Sequence, residues 1–95
     1  RYDEAIESFQ HLIEEFPGSP YVGDAYFWIG ESFFQKEDIQ HAYQNFLVTS
    51  KSYPMSSYAD YAIYSLGWIS FIQKRFHKAV DFFKQGVYGY PDSPV

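Results

Sequence analysis

The sequence predicts an all-α fold in which antiparallel pairs of helices stack side by side as a repeat. Three observations predict it: a period of 37 residues, an aromatic-proline pair that closes each period, and apolar residues at helical spacing between those pairs. Phe16-Pro17 recurs as Tyr53-Pro54 and again as Tyr90-Pro91. A chain that repeats itself at this interval is built from stacked supersecondary units.

The same period links further small, aromatic and polar positions. These columns are Ala5, Ala42 and Ala79; Phe9, Phe46 and Phe83; Ser19, Ser56 and Ser93; Ala25 and Ala62; and Gly30 and Gly67. A glycine inside a helix costs roughly 1 kcal/mol relative to alanine. Gly30 and Gly67 therefore predict points where another helix approaches closely, with the alanine column as the matching small face.

We predict five helices, at about residues 1–16, 20–36, 39–53, 57–73 and 76–89. The prolines end helices because they lack a backbone N–H and restrict the residue before them. Ser19 and Ser56 are expected to cap the second and fourth helices, with Pro20 at the first helical position. The short connections make neighbouring helices antiparallel.

The pattern resembles the tetratricopeptide repeat, whose signature combines W-x₂-L-G-x₂-Y, A-x₃-F and a closing proline. It reads here as Tyr26-x₂-Ile29-Gly30-x₂-Phe33, Ala42-x₃-Phe46 and Pro54, and again as Ile63-x₂-Leu66-Gly67-x₂-Ser70, Ala79-x₃-Phe83 and Pro91. The resemblance implies a right-handed superhelix in one domain over residues 1–95. Its units would be a second helix alone at 1–18, repeats at 19–55 and 56–92, and the start of a further repeat at 93–95. We therefore expect the chain to be an excerpt from a longer array.

Three features depart from the signature. Ser70 replaces the second ring and Phe71 is adjacent, which predicts looser or rotated packing in the second repeat. Glu37-Asp38 and Lys74-Arg75 occupy turns that usually carry a small residue. The longer turn after each closing proline is similar to the repeats of bacterial outer-membrane assembly lipoproteins and of the periplasmic coordinator of the Tol–Pal system. That similarity predicts a bacterial periplasmic or outer-membrane location, with the cytoplasm left open.

Composition and motifs argue against catalysis and against nucleic acid. The net charge is −5, whereas phosphate binding needs clustered Lys and Arg. There is no cysteine, no glycine-rich phosphate loop and no nucleophile elbow, and His11, His41 and His77 fall on separate helices. We predict no enzyme activity, no cofactor and no metal, and no stretch of the sequence is long and apolar enough to cross a bilayer.

The remaining hypothesis is a binding role. The resemblance implies that the first helix of each pair lines a concave surface that holds a protein or peptide partner. The residues expected on that surface are Asp24, Phe27, Glu31 and Phe34 in the first repeat, and Tyr61, Tyr64, Trp68 and Phe71 in the second. Aromatic residues make up 23% of the chain, more than the minimal core needs. Two alternatives stay open: a structural module that associates end to end with other copies or repeats, and a groove that stacks on carbohydrate.

Overall fold

A computed structural model describes residues 1–94, and these residues form five α-helices and no strand. The helices are α1 (Tyr2–Glu15), α2 (Val22–Gln35), α3 (Ile39–Ser52), α4 (Ala59–Ile72) and α5 (Phe76–Gly89). Their first residues repeat the sequence period, since α1, α3 and α5 begin at residues 2, 39 and 76, and α2 and α4 at residues 22 and 59. The predicted all-α fold is confirmed.

Each helix packs against the next one along the chain, and α2 also touches α4. The central core lies where α2, α3 and α4 meet, around the fully buried Phe46 of α3 and Leu66 of α4. The buried alanines Ala42 and Ala62 let these backbones come together. The fold is thus a layered array of neighbouring helices, consistent with an all-α solenoid.

The predicted close approaches at glycine are confirmed, but an aromatic ring meets each glycine. A Cβ atom placed on Gly30 would lie 2.8 Å from the ring of Phe46. One placed on Gly67 would lie 2.5 Å from the ring of Phe83. Both distances are shorter than side chains tolerate, so each glycine accommodates the phenylalanine of the following helix.

The long turns after α1, α3 and α5 have the same backbone hydrogen bonds. The N–H groups of Phe16, Tyr53 and Tyr90 each donate to a carbonyl four residues earlier, at 2.8, 3.1 and 3.0 Å. The serine three residues further on then donates its N–H back to the aromatic carbonyl in all three turns. The aromatic-proline column therefore marks one recurring turn.

The expected helix caps at Ser19 and Ser56 are wrong. The helices begin three residues later, with Tyr21 and Tyr58 at the N-cap positions and no side-chain cap. Each serine hydroxyl instead accepts a hydrogen bond from the N–H of that tyrosine, at 3.1 Å for Ser19 and 3.2 Å for Ser56. The serine hydroxyl is therefore bonded within the turn, to a backbone N–H two residues later, and does not cap the helix. The helix begins at the residue after that tyrosine.

The short turns within each helix pair place charged residues in the left-handed region. Glu37 has φ 65° and Lys74 has φ 63°. After α2, the N–H of Asp38 donates to the carbonyl of Phe33 at 2.8 Å, and the N–H of Glu37 donates to Phe34 at 2.9 Å. The same pair of bonds follows α4. This is the Schellman arrangement, which normally carries glycine at the left-handed position.

Candidate partner-binding surface

Helices α2 and α4 lie next to each other and present matching faces. Residues three and four apart share one face of a helix. On α2 that face carries Asp24, Trp28 and Glu31, and on α4 the positions one period later are Tyr61, Ser65 and Trp68. We call these six residues the groove face.

Three of the expected site residues line one cavity on this face. The cavity has a volume of about 220 Å³ and is lined by Glu31 and Phe34 of α2, Phe46 of α3, and Ser65 and Trp68 of α4. We call it the Glu31 cleft. Phe46 is fully buried and forms part of the core, so the cleft extends from the surface to the core.

Trp68 is the most exposed ring of the expected site. It packs edge-on against Phe83 of α5, with ring centroids 5.3 Å apart, and against Phe71 at 5.8 Å. These contacts, one from α5 and one from α4 itself, hold the indole in place but leave 57% of the residue exposed. Phe71 is 49% exposed and its other edge meets Phe76 at 5.5 Å. A ring that is held in place yet open to solvent is suited to packing against another molecule.

The expectation that Phe27 lines the groove is wrong. Phe27 is only 5% exposed and belongs to the core. Its ring stacks on Tyr58 with centroids 4.9 Å apart, and it also packs against Phe46 at 5.5 Å. The long turn before α4 brings Tyr58 over Phe27, and the sequence period alone does not reveal that contact.

Trp28 takes the exposed position that was expected for Phe27. It is 38% exposed and meets the edge of Tyr58 at 5.2 Å. Its spacing of four from Asp24 and three from Glu31 places it on their helix face, but Phe27 has the equivalent spacing of three and four, so the sequence carries no signal that separates the two.

The remaining expected site residues lie outside the Glu31 cleft. Asp24 accepts a hydrogen bond from the hydroxyl of Ser56, which ties α2 to the turn before α4. Tyr64 is half-buried and packs against α5, close to Gly86. Tyr61 is partly exposed beside Tyr58. Asp24 and Tyr64 therefore stabilise the stacking of the repeats.

Glu31 is the charged group of the cleft. Its carboxylate is half-buried, and burial raises the pKa of Glu31 above the ordinary value for glutamate. Among the described residues it forms neither a hydrogen bond nor an ion pair. Lys36, at the end of α2, is bonded to Asp3 of α1 instead. The cleft thus combines aromatic walls with one half-buried carboxylate that pairs with no other described residue.

The described part of the chain contains neither a candidate metal-ligand cluster nor a helix able to cross a membrane. Across residues 1–94, no group of three or more His, Asp or Glu side chains could hold a metal ion. His41 bonds the carboxylate of Asp38 at 2.8 Å and stacks on Phe33. No helix in the same range has the length and apolar character needed to cross a membrane.

Comparison with known proteins agrees with the repeat. A tetratricopeptide repeat family model matches residues 1–19, which comprise α1 and the start of its long turn. The match supports the tetratricopeptide repeat family. Repeats of this family are non-catalytic scaffolds that generally mediate protein–protein interaction. No curated protein matches the chain.

Proposed function

We propose that the chain binds a protein or peptide partner along the groove face, with the Glu31 cleft receiving one of its side chains. The observation that carries this proposal is the cleft itself, where Glu31, Phe34 and Trp68 meet beside the core. Binding energy in such interfaces concentrates in a few aromatic anchors that sit in pockets. Trp68, fixed on one side and exposed on the other, fits that role. An extended or helical peptide with apolar anchors is the expected partner.

Selection from a random peptide library displayed on phage tests the proposal. We expect the chain to select binders and Trp68→Ala to weaken their affinity by about 2 kcal/mol, roughly thirtyfold. Tyr88→Ala is the matched control, because Tyr88 is an exposed ring on α5, away from the groove face. Circular dichroism should show that both variants keep their helicity. A library without binders, or binders indifferent to Trp68→Ala, would overturn the proposal.

A second candidate function, self-association, is favoured by the outer face of α5. Phe76, Val80 and Val87 are each about half exposed there. One period earlier, Ile39 and Tyr43 are partly buried against the core. We propose that the α5 face accepts a helix that packs on it as α4 packs on α3.

The cellular setting that we propose is the bacterial periplasm or outer membrane. Its support is the long turn with its Tyr-Pro-x-Ser-x-Tyr-Ala pattern. Fractionation of the native full-length protein tests it, and recovery in the cytoplasm would contradict it.

A further inference from the structure

The Glu31 cleft has the dimensions and the lining of a pocket for one side chain. Its volume of about 220 Å³ is below the usual range of small-molecule sites. Three of its five lining residues are aromatic, and the polar groups are one carboxylate and one hydroxyl. Such a lining suits a side chain with a long apolar stem and a polar end.

The carboxylate of Glu31 favours a cationic group at the end of the side chain that enters the cleft. A half-buried carboxylate loses part of its hydration, and that loss is offset when a cation bonds to it. Within residues 1–94, Glu31 has no such cation, since Lys36 is paired with Asp3. The aromatic walls add to this preference, because the face of an indole attracts ammonium and guanidinium groups.

We propose that the cleft binds a lysine or arginine side chain of the partner peptide. The apolar stem packs against Trp68 and Phe34, and the cationic end pairs with the carboxylate of Glu31. This inference rests on the proposed function, because it names the residue type that the groove face recognises. The acidic net charge of −5 agrees with a basic partner.

Small amides test the pocket without a selected peptide. The probes are N-acetyl-lysine methylamide and N-acetyl-norleucine methylamide, which differ in the terminal amine of the side chain. Binding is followed by NMR on the indole N–H of Trp68, assigned by comparison with a Trp28→Phe variant. We expect the lysine amide to bind about tenfold tighter than the norleucine amide, from the ion pair and the cation–π contact together.

Glu31→Gln keeps the shape of the side chain and removes its charge. We expect this variant to bind both amides with equal affinity, while the Trp68 signal still responds. Glu15→Gln is the matched control, because Glu15 is an exposed carboxylate at the end of α1, and it should keep the tenfold preference.

Three results would overturn the inference: equal binding of the two amides, a preference that survives Glu31→Gln, or no response to either amide at saturating concentrations. These results leave the proposed function standing if library peptides still bind in a Trp68-dependent way. If the library yields no Trp68-dependent binder but the lysine preference is clear, the proposed function fails while the preference of the cleft for basic side chains stands.

Discussion

Ser70 and Thr49 are both fully buried, but only one of their hydroxyls has a partner. The hydroxyl of Thr49 donates to the carbonyl of Gly23 at 3.0 Å and so joins α3 to α2. The hydroxyl of Ser70 has no hydrogen-bond partner in the described structure. A buried polar group without a partner destabilises a fold by about 1–3 kcal/mol. Ser70 replaces the ring of the repeat pattern, and its full burial argues against the looser of the two packings expected there.

Removing the two hydroxyls should change the free energy of unfolding in opposite directions. We expect Ser70→Ala to raise the free energy of unfolding by about 1 kcal/mol, because it removes an unsatisfied group. Thr49→Val should lower it by about 1 kcal/mol, because the bond to Gly23 is lost. Urea denaturation of both variants beside the parent measures these changes. Destabilisation by Ser70→Ala would mean that its hydroxyl does have a partner in solution.

Glu31 should make stability depend on pH in the opposite sense from most carboxylates. Burial raises the pKa of Glu31, so the folded state keeps this proton to higher pH than the unfolded state. Stability is therefore lost as pH rises through the folded pKa. Glu31→Gln should raise the melting temperature at pH 7, and the difference from the parent should vanish in acid. A Glu31→Gln protein that melts below the parent at pH 7 would contradict this.

Asp38 serves as the comparison for that pH profile. The backbone N–H of His41, and then its ring, lower the pKa of Asp38. Its contribution is present above the unfolded pKa and is lost as pH falls through the folded pKa. Asp38→Asn should therefore lower the melting temperature at pH 7, with the opposite sign from Glu31→Gln.

The short turns after α2 and α4 store backbone strain, because Glu37 and Lys74 adopt the left-handed conformation there. A residue with a Cβ atom costs roughly 1–2 kcal/mol in this conformation, and glycine avoids most of that cost. We expect Glu37→Gly and Lys74→Gly each to stabilise the chain by about 1 kcal/mol, because the Schellman bonds stay in place. Gly replacing Gln10, an exposed residue within α1, is the control and should destabilise it by a similar amount. Thermal unfolding measures all three, and destabilisation by both turn variants would argue against the left-handed assignment.

The elements themselves could be predicted because their signals are local. Proline, glycine and the 3.6-residue spacing each act within about one turn of helix. The same signals recur one period later, so a helix boundary that is ambiguous in one repeat can be assigned from the other. The starts of α2 and α4 could not be predicted to the residue. There the hydroxyls of Ser19 and Ser56 accept hydrogen bonds within the turn. Serine is favoured both in turns and at helix caps, so the residue type does not tell which of the two it forms.

The binding surface was less predictable than the helices, for a physical reason. Helical spacing gives the face on which a residue lies but not what covers it. Phe27 and Trp28 are neighbours in sequence, and the stacking of Tyr58 decides which of them is buried. The Glu31 cleft likewise depends on Phe46 and Ser65, from two other helices. Such contacts follow from how the layers stack in the whole molecule.

The outer face of α5 leads to a prediction for the whole molecule. Phe76, Val80 and Val87 are each about half exposed on α5, although the helix packs against α4. Exposed apolar patches of this kind favour association, because contact removes them from water. We expect copies of the chain to associate through this face as concentration rises, which light scattering over a wide concentration range measures.

Two lysine substitutions separate this face from general stickiness. Val80→Lys puts a charge in the middle of the α5 face and should shift association to concentrations at least about tenfold higher, since a charge at the centre of an interface costs well over 1.4 kcal/mol when it is desolvated. Met55→Lys is the control, because Met55 is 95% exposed in the turn between α3 and α4. It adds the same charge without touching α5 and should leave the association unchanged. A strict monomer at the highest concentrations, or equal effects of the two substitutions, would show that the α5 face does not join copies of the chain.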